Sequence, residues 1–169
     1  YKTRTKFACT ALINGTKSKC TFAKTNVDLT TGDDKPLFHK AHPYFNDKMS
    51  GKSQSNYFSA DFKTEGKLDA AKFEAVLNKI ANKLRNFKDE NGETMEYVAD
   101  TLIIPANRPE FEALCKKVVG SERTVGSNNN DINTQYGNWT IVVLPGWECN
   151  DDRFMIQSSD ANAQLSGSM

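Results

Sequence analysis

The chain has 169 residues, 38% hydrophobic, 25% charged and 10% aromatic, which is enough for one domain with a core of its own. Its 22 basic and 21 acidic side chains leave a net charge of +1, without the basic surplus that phosphate neutralisation demands of a nucleic-acid binder. No run of about 18 apolar residues occurs, so no helical membrane span is expected, and no signal peptide is visible.

The charge is unevenly spread. Residues 1–60 carry 10 basic and 4 acidic side chains, residues 61–169 carry 12 and 17. Two solvated faces account for this; so does a basic part of one subunit meeting the acidic part of another. Cys9, Cys20, Cys115 and Cys149 form no C-x-x-C pair and suit neither a zinc site nor a dense disulfide framework, so reduced thiols in a cytoplasm are expected. Tyr1 at one end and Ser166-Gly167-Ser168-Met169 at the other suggest a piece of something longer.

In chain order, residues 4–14 read two ways. Alternation makes them a strand with Asn14-Gly15 as a hairpin turn. The stripe Phe7, Ala8, Ala11 and Leu12 makes them a helix with Gly15 just past its end, and the helix is favoured. Residues 16–65 are polar, broken by the apolar islands Cys20–Ala23, Pro36–Phe38 and Tyr57-Phe58, and read as long irregular connections with brief strands.

Asp69 caps a helix that starts at Ala70-Ala71-Lys72, with Leu68 and Phe73 placed as a hydrophobic staple. Phe73, Val76, Leu77, Ile80, Leu84 and Phe87 keep the helical period until Asn91-Gly92. Thr94–Val98 and Thr101–Ile104 read as strands, the second apolar on both faces and so buried and central. Asn107 and Glu110 form a capping-box pattern with Pro109 in the first turn, and Phe111, Leu114, Cys115, Val118 and Val119 make the stripe of a helix closed by Gly120. Residues 121–138 read as a polar loop, mobile at its Asn-rich tip. Trp139–Leu144 and Arg153–Gln157 read as further strands, and the alternation between 69 and 157 predicts mixed α/β layers, an α+β fold.

Chemistry is sparse. His39 and His42 form an HxxH pair that would ligate a metal if Asp33, Asp34 or Asp47 joined it, but Pro43 opposes a helix presenting both rings, and surface or packing roles are expected. No nucleophile elbow, phosphate-binding loop or dinucleotide fingerprint occurs. A Cys–His pair from Cys9, Cys20, Cys115 or Cys149 has nothing in sequence to assemble it. Asn14-Gly15-Thr16 and Asn138-Trp139-Thr140 read as chance glycosylation triplets. Asp33-Asp34 and Asp151-Asp152 read as solvated turn residues, and Trp147 as core packing or an interface anchor. No catalytic, cofactor-binding or metal-binding residue is assigned.

Gly32-Asp33-Asp34-Lys35-Pro36-Leu37-Phe38 followed by His42-Pro43 resembles a segment of the Mu-like prophage major head subunit family, the tailed-bacteriophage major capsid proteins. The Leu68–Phe87 helix, the Asn-Gly turn, Asp100-Thr101-Leu102-Ile103-Ile104-Pro105, the next helix, the Asn-rich loop and Trp139–Pro145 keep the family's order over roughly residues 5–160. The resemblance implies the axial-domain portion of the tailed-phage major capsid fold with part of the peripheral domain. Residues 1–65 would hold the end of the spine helix and an irregular peripheral segment, 66–150 the axial core, and 151–169 the start of a return to the peripheral domain.

It further implies a non-enzymatic, self-assembling subunit of an icosahedral head, assembled in the bacterial cytoplasm around DNA. Its partners would be copies of itself and scaffolding or portal proteins, with no sequence-specific nucleic-acid binding and no membrane. Gly120–Gly137 would lie near a capsomer axis, with Ser127–Asp131 as its tip. A nanocompartment shell protein of the same fold is the neighbouring reading. A small metal-dependent enzyme using His39 and His42 and a surface-recognition module built on the loops are readings of other classes.

Overall fold

The computed structural model describes residues 2–44, 50–122, 132–133 and 135–159. They form an α+β protein of two compact units, one built from residues 1–59 and 88–93, the other from 60–87 and 94–169.

The first unit opens with helix α1 (Lys2–Ile13), the helical alternative for this segment. Its apolar stripe is short and no residue of the helix is fully buried; Phe7 meets Phe22 edge to face at 5.3 Å. Gly15 serves close approach rather than a left-handed cap: a Cβ there would come 2.6 Å from the Phe38 ring, and the Phe38 N–H donates to Gly15 O at 2.7 Å. Strands β1 (Lys19–Phe22) and β2 (Thr25–Asp28) pair antiparallel, and their two turn residues, Ala23 and Lys24, both have positive φ. That is a type I′ turn, made without the usual Asn-Gly. Leu37-Phe38 and Tyr57-Phe58 form no strand. Instead β3 (His42–Pro43) pairs with β4 (Ser53–Gln54).

The second unit starts with a hairpin that the sequence reading passed over, β5 (Lys63–Thr64) and β6 (Lys67–Leu68), turned by Glu65 and Gly66 at positive φ. Helix α2 (Ala70–Arg85) follows as expected, with the Asp69 carboxylate accepting from the Lys72 N–H at 3.1 Å. It ends at Arg85, short of Asn91-Gly92. There the Asn86 side chain donates to Asn82 O at 2.7 Å, and Phe87 falls outside the helix. Residues 94–98 form no strand; Met95 N–H donates to Phe87 O at 2.8 Å in an irregular connection.

Strand β7 (Thr101–Pro105) is the buried central strand of a three-stranded sheet. It pairs parallel with β8 (Thr140–Leu144) and antiparallel with β9 (Met155–Gln157). Its near-continuous apolar run is what a strand covered on both faces requires. Between β7 and β8 runs helix α3 (Pro109–Gly120), whose Phe111, Cys115, Val118 and Val119 are buried as their spacing predicts. The expected capping box does not form. Arg108 is the N-cap and makes no side-chain cap bond, because the Asn107 amide instead exchanges hydrogen bonds with the backbone of Cys149 at 2.9 and 3.0 Å.

The core of this unit lies between α2, α3 and the sheet. Phe62, Phe73, Phe111 and Phe154 pack as an aromatic cluster with centroids 5.3–6.1 Å apart. Trp147 is buried at 5% exposure, the packed alternative for that residue. No helix among the described residues is long and apolar enough to cross a membrane.

Candidate functional site

The HxxH pair sits in the first unit, on a chain that doubles back at a tight turn. Thr31 N–H donates to Lys35 O at 2.8 Å, and Asp34 adopts φ +59. This turn draws the Asp33 side chain inward until it is 6% exposed, so Asp33 is not the solvated turn residue expected, whereas Asp34 is exposed. One Asp33 oxygen accepts from the Thr31 hydroxyl and from the Lys35 N–H. The other lies 2.6 Å from Nδ1 of His42.

The far nitrogen of His42, Nε2, lies 3.1 Å from Oδ1 of Asn56. Asn56 is itself held at both ends of its amide, Nδ2 donating to Leu37 O at 2.7 Å and Oδ1 accepting from His39 N–H at 2.8 Å. His39 turns its ring edge to face against that of His42 at 5.9 Å and accepts from Ala41 N–H at Nδ1. Burial would raise the Asp33 carboxyl, but the Thr31 hydroxyl, His42 and the Lys35 N–H outweigh it and hold the group at about 2.

The structure thus joins His42, but not His39, to Asp33 and neither to Asp34, while Asp47 lies outside the described residues. Both ring nitrogens of His42 face acceptors, so both bonds are complete only when each nitrogen carries a hydrogen. A metal needs a bare ring nitrogen instead. Among the described residues no group of three or more His, Cys, Asp or Glu side chains is arranged to hold a metal ion. The arrangement works as a clasp that ties residues 31–42 to 56. Asn56 was invisible to sequence reasoning, because an Asn 14 residues from a His within a polar stretch carries no spacing signal.

In the second unit, Asp152 overturns its reading as a solvated turn residue. Its side chain is 2% exposed, accepts from Arg108 Nε and Nη2 at 2.8 and 2.7 Å, and lies 2.8 Å from Lys63 Nζ as an ion pair rather than an aligned hydrogen bond. Burial opposes its ionisation, and Lys63 and Arg108 outweigh burial, so its carboxyl stays below the ordinary range. Asp151 is exposed and pairs with Arg153.

All four cysteines are free. Burial pushes the Cys115 thiol up to about 12 and also raises Cys149, the reverse of the depressed value a nucleophilic thiol needs.

Part of the long loop after α3 is described. Its tip, Ser127–Asp131, lies outside the described residues. Asn133 and Gln135 are buried. Asn133 Nδ2 donates to Val118 O and Ser121 O, and Gly137 N–H donates to Val119 O at 3.3 Å, so the returning chain caps the end of α3. Gln135 bridges Asn78 and the Trp139 indole, both at 2.7 Å.

Fold and site define an α+β protein in which His42 and Asp152 are engaged by internal bonds. No known protein family, curated protein or solved structure matches the chain.

Proposed function

We propose that this chain is a structural subunit of an icosahedral phage head, a major capsid protein that assembles from copies of itself and performs no catalysis. What supports the reading is the sequence resemblance to the major head subunits, whose quoted segments fall on α2, β7 with its terminal Pro105, α3 and β8 in that chain order. A shell subunit works by shape and many modest contacts, and closed symmetry multiplies each of them. Consistent with such a role, His42 and Asp152 are engaged by neighbouring side chains rather than aimed into a reaction site. On this reading the partners are copies of the chain together with scaffolding or portal proteins, the location is the virion, and DNA is enclosed without sequence recognition.

Electron microscopy of the gene product that contains this chain, expressed alone, tests the proposal. Closed shells of uniform diameter are the expected result; a monomer under every assembly condition overturns it. A nanocompartment shell of the same fold would also give shells, and neighbouring genes for portal and tail proteins separate the two.

The metal-dependent reading has one observation behind it, His42 bonded to Asp33 and edge to face with His39. Calorimetric zinc titration decides it, since stoichiometric binding would show that His42 gives up its bonds to Asp33 and Asn56 for a metal.

A further inference from the structure

The second unit contains an open cleft of about 440 Å³ between the β5–β6 hairpin and one face of α3, with Asp152 among its lining residues. Its apolar lining is Leu68, Ala113 and Leu114; its charged lining is four cations, Lys63, Lys67, Arg108 and Lys117, against Glu110 and Asp152. This surplus of two positive charges stands in a part of the chain, residues 61–169, where acidic side chains outnumber basic ones.

The four cations are not equivalent. Arg108 and Lys63 converge on the buried Asp152 and brace the hairpin against the start of α3. The side chains of Lys67 and Lys117 make no ion pair or hydrogen bond among the described residues, and both residues are exposed. The Glu65-Gly66 turn sets Lys67 at the start of β6, and Lys117 lies on the α3 face that also carries Ala113 and Leu114. The volume lies within the range of small-molecule sites, which is about 300–1,000 Å³.

We propose that this cleft binds a small organic oxyanion, a phosphate monoester or a carboxylate. Its charged end is held by the amines of Lys67 and Lys117, and its body lies on Leu68, Ala113 and Leu114. A net surplus of two charges, with Glu110 unpaired on the same face, suits one charged group and not a polyanion. The site does not depend on the shell reading: shells could fail to form and the cleft still bind.

Backbone amide NMR of the whole chain at low ionic strength, titrated with phenyl phosphate, benzoate and inorganic phosphate, tests it. The expected result is saturable shifts centred on Gly66, Lys67, Ala113 and Lys117, with an aromatic oxyanion bound more tightly than inorganic phosphate. Phenyl phosphate binding above benzoate assigns a phosphate ligand; the reverse assigns a carboxylate. The variant Lys67→Gln/Lys117→Gln changes only exposed side chains and should weaken binding at least about tenfold, whereas Lys79→Gln on α2 should leave it unchanged. Absence of saturable shifts at millimolar probe, equal loss in the Lys79 variant, or equal affinity for inorganic phosphate and phenyl phosphate overturns the proposal.

Discussion

Single side chains decide much of this structure. Asn133 closes α3 by donating to two carbonyls that the helix leaves open, so Asn133→Ala should cost about 1–3 kcal/mol in urea unfolding, the penalty of stranding buried acceptors. Phe111 is fully buried within the four-ring cluster, and Phe111→Ala should cost about 3–5 kcal/mol by the same measurement. Gly15→Ala would push a methyl group into the Phe38 ring and should destabilise the first unit by about 1–3 kcal/mol; an unchanged thermal melt would show that Phe38 moves aside freely. Phe111 was legible in the sequence because it sits on a five-residue stripe. Asn133, Asn56 and Asp152 were not, because their partners lie at separations that only the folded chain creates.

At the scale of elements, local chemistry predicts helices better than their ends. Asp69 caps α2 as read, and Asp69→Ala should lower the urea midpoint while Asp69→Ser retains most of it, since serine offers the same acceptor to the Lys72 N–H. The capping box at Asn107 failed because a competing pair of backbone groups at Cys149 satisfied the same amide. Likewise α2 stops before Asn91-Gly92, with the Asn86 amide donating back to Asn82 O. The hairpins turned by Ala23-Lys24 and Glu65-Gly66 lack the Asn-Gly signal found at residues 91–92, and β5 and β6 are only two residues long, too short to show alternation.

At the scale of the whole molecule, five carboxylates among the described residues are held below their ordinary values. The Thr30 N–H does this at Asp28 and the Thr64 hydroxyl at Asp69. Against opposing burial, the Thr31 hydroxyl does so at Asp33, Ser159 at Asp100 and Lys63 at Asp152. A folded-state value below the unfolded one contributes stability that is full above the unfolded value of about 4 and lost as pH falls through the folded value. The midpoint of thermal unfolding should therefore hold steady down to about pH 4 and fall between there and about pH 2, where Asp33 takes up its proton. Asp33→Asn should flatten part of that fall, and an equally steep fall in the variant would assign the acid sensitivity to the other carboxylates.

The amino-acid sequence by itself determined the α+β class, helices α2 and α3 with their buried faces, and β7 as the covered central strand. The helices are written in periodicity and β7 in a continuous apolar run, both of which report on residues close together in the chain. Only the tertiary structure decided that β8 runs parallel and β9 antiparallel to β7, that Asp33 and Asn56 clasp His42, and that Arg108 and Lys63 close on Asp152. Those outcomes depend on which distant groups can reach a buried polar atom once the apolar stripes have packed, and no local pattern encodes that distance.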